Sequence, residues 1–363
     1  MILARARHGA GTFFKSMNRT DDLRIRTVRP LIPPAILSEE VPLSERAADV
    51  VTVRRQEIVS ILRGTDRRLF VVVGPCSIHD PAAAREYAAR LAELAPQYEG
   101  RLLLSIRAYF EKPRTVTGWK GLINDPDLDE SFRINKGLRL ARSLLLEFSE
   151  MGLASATEFL DTSLPQYTAD LVSWGAIGAR TTESQLHREL ASGLSMPVGF
   201  KNTTDGEVRA AVDAIVAARS PHWFPSVTKQ GVAAISETVG NDTCHLVLRG
   251  GNKTGPNYSA EHVERAAEML RARGVCARVM VDCSHGNSLK DPARQAVVAA
   301  DVAQQVRSGS GHIMGVMLES NLVGGRQDLV AGKSLTYGQS ITDACLGWEE
   351  TLPILDRLAE AVG

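Results

Sequence analysis

From about residue 69 onward the chain alternates between two kinds of pattern. Short apolar, β-branched runs occur at 69-LFVVVGPCS, 102-LLLSIRAYF, 154-ASATEFLD, 174-WGAIGAR, 196-MPVGFKN, 244-CHLVLRGG, 279-VMVDCSH and 315-GVMLESN. They show no in/out alternation, which is the signature of strands buried on both faces. Between them lie stretches of helical period, at 80–94, 134–148, 207–218, 260–273 and 292–306. Strand and helix alternating eight times over roughly 290 residues predict an α/β fold, a (β/α)8 TIM barrel. An open doubly wound sheet is the competing architecture. It would carry fewer strands and a Gly-rich phosphate turn after the first.

Two segments exceed a minimal barrel. Residues 17–65 carry Pro30, Pro33, Pro34 and Pro42, then a helix predicted from about Leu43 to Arg63. Residues 222–243 read as an inserted β-hairpin, with Gly240-Asn241-Asp242 as its turn chemistry. Additions of this kind serve oligomer contacts or regulation, or merely pad a strand edge. Met1 to Ser16 is basic and free of acids, and reads as a disordered leader ahead of a sharply patterned start at Met17. The expected organisation is therefore a leader over 1–16, an N-terminal extension over 17–65 and a barrel over 66–363.

Charge and cysteine content narrow the function. Lys and Arg together number 42, as do Asp and Glu, so the net charge is zero and no basic footprint for nucleic acid exists. Five cysteines, with no C-x-x-C, argue against a secreted disulfide framework and for a reducing cytoplasm. No apolar run approaches the length of a membrane-spanning helix.

Chemistry concentrates at the ends of the apolar runs. In order they end in or pass through Cys76, Arg107, Glu158 with Asp161, Arg180, Lys201, Arg249, His285 and Glu319. A strand buried on both faces carries charge only where its end opens into a site, because unpaired buried charge is costly. In a barrel that end is the catalytic face. Cys76, His285 and Glu319, with Asp343 just beyond the last strand, are metal-ligand types. Together they suit one divalent ion such as Mn²⁺, Fe²⁺, Co²⁺ or Zn²⁺. Arg107, Lys112, Arg114, Arg180, Lys201 and Arg249 form a second, cationic group. So many cations at one mouth call for a multiply charged anion bearing carboxylate and phosphate.

The blocks that carry these residues are GPCSIHDP (74–81), YFEKPRT (109–115), GWKGLINDP (118–126), GARTTESQLHRE (178–189), GFKN (199–202), RGG (249–251), DCSHGNS (282–288), MLESN (317–321) and SITDAC (340–345). In this order they closely resemble 3-deoxy-D-arabino-heptulosonate 7-phosphate (DAHP) synthase of type I, the short, feedback-regulated bacterial and fungal subfamily. The likeness runs from about Met17 to the C-terminus. It implies metal-dependent condensation of phosphoenolpyruvate with erythrose 4-phosphate, the entry to the shikimate pathway. It also implies ligation by Cys76, His285, Glu319 and Asp343, and catalytic roles for Lys112, Glu158, Lys201 and His285. Phosphoenolpyruvate would be held by Arg107, Lys112, Ala179, Arg180, Lys201 and Arg249, and the aldose phosphate by Arg114 and Thr115.

The same resemblance implies a homodimer or homotetramer inhibited by an aromatic amino acid. Ser195 and Ser226 are the expected regulatory positions, with serine at 226 pointing to phenylalanine. Two departures from the family pattern are visible: Thr203 stands where glycine is usual, and the loop after Arg249 (GGNKTGPNYS) is slightly longer. Two rival functions are a related synthase using arabinose 5-phosphate and a non-catalytic metabolite-sensing barrel. Cys345, two residues from Asp343, is a candidate for oxidative pairing with Cys76, against a plain core thiol. His79 and His187 fall inside the blocks and read as structural.

Overall fold

Unbroken apolar runs pair readily on both edges, and the eight runs do so. The computed structural model describes Asn18 and residues 20–114, 116–330 and 332–363. In chain order its main elements are α1 (Pro34–Glu40), α2 (Glu45–Arg63), β1 (Leu69–Gly74), α3 (Pro81–Leu94), β2 (Leu102–Arg107), α4 (Ile134–Glu150), β3 (Ala154–Glu158), α5 (Pro165–Thr168), β4 (Trp174–Ile177), α6 (Gln185–Gly193), β5 (Val198–Lys201), α7 (Arg209–Ala218), β6 (Trp223–Val227), β7 (Ala233–Glu237), β8 (Cys244–Leu248), α8 (Ala260–Ala272), β9 (Val279–Asp282), α9 (Gln295–Arg307), β10 (Ile313–Glu319), β11 (Val323–Arg326), β12 (Gln339–Ser340) and α10 (Trp348–Val362). Strands β1, β2, β3, β4, β5, β8, β9 and β10 pair in parallel and close into a barrel. Every residue of these eight strands is buried.

Two layers of packing follow from the pleat. One side of each strand, with Leu69, Val71 and Val73 in β1, meets the apolar faces of the surrounding helices. The other side, with Phe70, Val72, Leu103, Trp174, Val247, Met280, Met314 and Met317, fills the barrel interior. Ile58, Ile61 and Leu62 of α2 belong to this interior cluster. Arg278, just before β9, donates to Ile61 O (2.5 Å), so α2 closes the barrel at the end opposite the strand C-termini. The helix itself is well delimited: Ser44 Oγ accepts from Ala47 N, and Gly64 stops it in the left-handed conformation (φ 76°).

Helices α1 and α2 fall in the same compact unit, Ile32–Gly363, as the barrel strands. In the unit ending at Leu31 the described residues form neither helix nor strand. The leader expected over 1–16 lies outside the described residues.

The inserted hairpin is real, but its turn is elsewhere than expected. Strands β6 and β7 pair antiparallel from Trp223↔Glu237 to Val227↔Ala233. The connection is Thr228–Val232, closed by Val232 O accepting from Thr228 N (2.9 Å), with Gly231 left-handed (φ 77°). Gly240-Asn241-Asp242 lies beyond the hairpin and returns the chain to β8. Gly240 sits against Arg219 O, where a Cβ would approach to 2.1 Å. Asn241 then donates to three carbonyls, Ala191 O in the last turn of α6 and Leu194 O and Met196 O in the α6–β5 connection. Asn and Gly were the right turn residues for a loop one connection later.

Side chains close tightly on Gly199 of β5. A Cβ there would meet Trp174 Cζ2 at 2.4 Å and Val247 Cγ2 at 2.6 Å. Trp174 is itself fixed, its indole N–H donating to His245 Nε2 at 3.1 Å. Gly199→Ala should therefore cost about 1–3 kcal/mol by overpacking. A thermal melt checks this, and an unchanged midpoint would mean that the indole moves aside freely.

Candidate active site

At the C-terminal mouth the strand ladder stops and ionisable side chains take over. Arg107, at the end of β2 and 1% exposed, is the largest charge in the floor. Its Nη1 donates to Pro75 O and Cys76 O (2.5 Å each), and its guanidinium lies 3.7 Å from the Tyr109 ring centre. Its Nη2 stands 3.0 Å from Glu319 Oε1 across β1. That oxygen is buried and accepts no hydrogen bond from the described residues, so the contact is an ion pair off the N–H direction with a lone pair left over.

The unspent lone pair faces a donor cluster. One ligand atom each from Cys76, Glu319 and Asp343 lies within 4.8 Å of the other two. Cys76 Sγ is 3.7 Å from Asp343 Oδ2 and accepts from Lys112 Nζ at 3.1 Å. His285 flanks the cluster: its Nε2 is 3.7 Å from Glu319 Oε1, while its Nδ1 is 3.0 Å from Asp282 Oδ2. A buried carboxylate on one ring nitrogen, with the other facing the cluster, is how a metal-bound imidazole is usually oriented. Thiolate, imidazole and two carboxylates, with one oxygen orphaned, fit a divalent transition ion. His285 is held left-handed (φ 54°), a strain that places its ring.

Charge around the cluster is mutually adjusted. Burial and the Glu319 carboxylate push the Cys76 thiol up, against the pull of Lys112 and Arg107. Burial presses Lys112 down, yet Cys76, Glu319 and Asp343 outweigh it and hold the ammonium above its ordinary value. Burial also opposes ionisation of Asp282, but His285 and Lys201 keep its carboxyl well below the usual range. Lys201 Nζ donates to Asp282 Oδ2 at 2.9 Å and is 3% exposed. Arg249 is lowered by burial, with nearby Arg180 adding repulsion.

The remaining expected site residues distribute as follows. Glu158 is buried at the end of β3, against the backbone of Gly178, where any Cβ would lie 2.1 Å from its Oε1. Ala179 and Arg180 form the turn that follows, half-buried and exposed respectively. Arg114 is exposed and donates from Nε to Trp119 O (2.7 Å). Thr115 lies outside the described residues. Ser195 and Ser226 line one cavity of about 830 Å³, away from the mouth and walled also by Val51, Arg55, Leu190 and Phe224. Cys345 Sγ accepts from Cys76 N at 3.4 Å, and both thiols are free. His187 bridges Ser184 Oγ and Leu160 O, a structural tie.

The two departures noted in the sequence turn out to be partners. Thr203 Oγ1 accepts from Glu207 N (2.9 Å) and closes its loop from within. The longer loop after Arg249 then docks on it: Asn252 N donates to Thr204 O (2.9 Å) and Thr254 N to Asp205 O (3.2 Å).

Comparison with known proteins decides the family. Residues 40–356 match the model of the DAHP synthetase I family. The chain belongs to the DAHP synthetase I family. It is 58% identical over 344 residues to the Phe-sensitive phospho-2-dehydro-3-deoxyheptonate aldolase of Escherichia coli K12, covering 95% of this chain and 98% of that one. It is 56% identical over 346 residues to the Trp-sensitive enzyme of Enterobacter agglomerans, covering 95% and 99%. The solved phospho-2-dehydro-3-deoxyheptonate aldolase of Francisella tularensis SCHU S4 superposes with a TM-score of 0.91 at 55% identity, over 93% of this chain and 98% of that one. Membership of the DAHP synthetase I family accords with the barrel and with a divalent metal. Among the described residues no helix is long and apolar enough to cross a membrane.

Glu111, beside Lys112, escaped the sequence reading because it is not at a strand end. It is 8% exposed, and its two oxygens accept from Leu160 N (3.3 Å) and Asp161 N (3.2 Å). Burial outweighs those bonds and raises it from 4.5 to about 8. The folded chain thus keeps a proton there that the unfolded chain releases near 4.5, so the associated stability is full below that pH and lost as pH rises through about 8. Glu111→Gln should flatten the fall of thermal stability across that interval. Melting curves recorded at several pH values check it, and an unaltered slope would mean that the carboxyl is ionised throughout.

Proposed function

We propose that this chain condenses phosphoenolpyruvate with D-erythrose 4-phosphate and water, giving DAHP and inorganic phosphate. The observation that carries the reading is the convergence of Cys76, Glu319 and Asp343 beside Lys112 and above the Arg107 floor. A ligand cluster bordered by buried cations suits one metal and one polyanion, and the relatives' printed names supply the reaction class.

In this reading Cys76, His285, Glu319 and Asp343 hold the divalent ion. Bound there, the ion polarises the aldehyde carbonyl as a Lewis acid. Arg107, Lys112, Arg180, Lys201 and Arg249, with the turn at Ala179, bind the carboxylate and phosphate of phosphoenolpyruvate. Arg114 and Thr115 hold the aldose phosphate. The C3–C1 bond forms as C3 of phosphoenolpyruvate adds to the aldehyde carbon, leaving positive charge at C2. Water positioned by Glu158 or Lys112, or both, adds at C2; one of its protons ends on the alkoxide formed from the aldehyde oxygen, and the other leaves with phosphate as the C2–O bond breaks and the keto group forms. Lys201 and Arg249 stabilise the departing anion; the Lys201 ammonium is already fixed on Asp282, and the backbone N of Arg249 is held by Asn202 Oδ1.

The 830 Å³ cavity containing Ser195 and Ser226 is read as the aromatic amino acid site. Apolar walls at Val51, Leu190 and Phe224 suit a ring, and Arg55, Asp170, Lys229 and Glu237 suit a zwitterion. Serine at 226 favours phenylalanine. A homodimer or homotetramer is part of the same reading, supported by the exposed apolar face of the hairpin at Trp223 and Ile235. Five free cysteines support a reducing, cytoplasmic setting.

Cys76→Ala should abolish metal-dependent phosphate release from the two substrates; unchanged activity would overturn the ligand assignment. Arg180→Ala should raise KM for phosphoenolpyruvate by roughly 10- to 100-fold, the scale of a lost charged hydrogen bond, and leave that for erythrose 4-phosphate nearly unchanged. Equal effects on both would remove Arg180 from the phosphoenolpyruvate site. Inhibition by phenylalanine should exceed that by tyrosine or tryptophan and weaken in Ser226→Gly; inhibition led by another amino acid would refute the phenylalanine assignment.

A further inference from the structure

Three asparagines sit directly behind the cationic mouth, and none is ionisable. Asn202 follows Lys201, Asn287 lies two residues after His285, and Asn257 comes from the loop after Arg249. Asn202, Asn257 and Asn287 are 0%, 4% and 0% exposed.

Their bonds converge on one dipeptide, Arg249-Gly250. Strand β8 ends at Leu248, so the ladder supplies nothing for the next two residues. Asn202 Oδ1 accepts from Arg249 N at 2.8 Å, and Asn202 Nδ2 donates to Gly250 O at 3.0 Å. Asn257 Oδ1 accepts from Gly250 N at 2.7 Å. Arg249 O accepts from Gly286 N (3.0 Å) and Asn287 N (3.2 Å). Every backbone donor and acceptor of Arg249 and Gly250 is thereby occupied. The three amides also bind one another: Asn257 Nδ2 donates to Asn202 Oδ1 (3.2 Å), and Asn257 N to Asn287 Oδ1 (2.8 Å). Asn287 Nδ2 secures the far side on Leu248 O (3.1 Å) and Asp282 O (2.8 Å).

The close approach of the loops makes this arrangement specific. Gly250 is left-handed (φ 70°), and a Cβ on it would lie 2.5 Å from Gly286 C. A Cβ on Gly286 would in turn lie 2.6 Å from Gly250 C. With backbone against backbone, a small rotation of Arg249 has nowhere to go unless an amide lets go.

We infer that Asn257, acting with Asn202 and Asn287, is a positioning residue that aims Arg249 at the phosphorylated substrate. Among the described residues Arg249's side chain makes one hydrogen bond, Nη1 to Gly250 O at 3.2 Å, so its direction depends on the backbone that carries it. The longer loop is then part of the binding site at one remove. It is pinned to the 203–207 loop at one end and presents Asn257 at the other. This inference rests on the proposed role of Arg249.

The test uses the full chain loaded with Mn²⁺. Asn257→Ala should raise KM for phosphoenolpyruvate roughly tenfold, the equivalent of one hydrogen bond, and lower kcat through the misaimed Arg249, with KM for erythrose 4-phosphate within about twofold. Asn257→Asp keeps the acceptor for Gly250 N and should fall between the two. Arg265→Ala, which removes an exposed ion pair with Glu261 on α8, should behave as the parent. Calorimetric titration with phosphoenolpyruvate alone should show the same order of affinities. A parent chain that binds phosphoenolpyruvate yet releases no phosphate with both substrates would refute the proposed reaction and leave this inference standing. Unchanged affinity in both Asn257 variants, or an equal rise in both KM values, would overturn the inference itself. If Asn257→Ala does not fold, the Asn257→Asp titration decides alone, parent-like affinity counting against it.

Discussion

Everything at the mouth is arranged around a cation that the barrel has nearly removed from water. Arg107 is 1% exposed, and burying a guanidinium is tolerable only when its surroundings answer for the lost hydration. Here two carbonyls of the β1 turn, the face of Tyr109 and the carboxylate of Glu319 do so. Each of those partners has a second duty. The turn that supplies the carbonyls also sets out Cys76, and the carboxylate that balances the charge keeps an oxygen free for a ligand. Lys112, reaching Cys76 O and Sγ together, extends the same network outward. The floor and the donor cluster are one electrostatic object, and neither could be altered without exposing the other.

Much of this was legible in the sequence, and the reason is specific. Fully buried parallel strands leave few polar positions, so Arg107, Lys201 and Glu319 stood out against their apolar runs. The barrel followed from the count of runs, and the charged mouth from their ends. The hairpin was also visible, although Gly240-Asn241-Asp242 drew attention away from Thr228–Val232. A Gly-Asn-Asp tripeptide turns a chain wherever it sits, and sequence alone does not say which connection it serves.

What escaped the sequence was polar but not placed at strand ends, or not charged. Glu111 lies mid-loop, and its significance is the burial that raises it, a property of neighbours far away in the chain. Asn202, Asn257 and Asn287 are individually ordinary loop residues. Only the fold brings amides separated by 30 to 55 positions into one cluster. The paired departures at Thr203 and after Arg249 illustrate the same limit. They lie about 50 positions apart in the chain, and the contact between their loops, through Thr204 and Asp205, exists only in three dimensions.

Helix α2 carries a consequence of its own. Its middle turns, at Val51, Thr52 and Arg55, wall the cavity that holds Ser195 and Ser226, and its next turns, at Ile58, Ile61 and Leu62, seal the barrel. One rigid rod is therefore both the partition of one compartment and the stopper of another. The chain contains no smaller barrel to be trimmed down to: a version starting at the first strand would lose its stopper and its partition in the same cut.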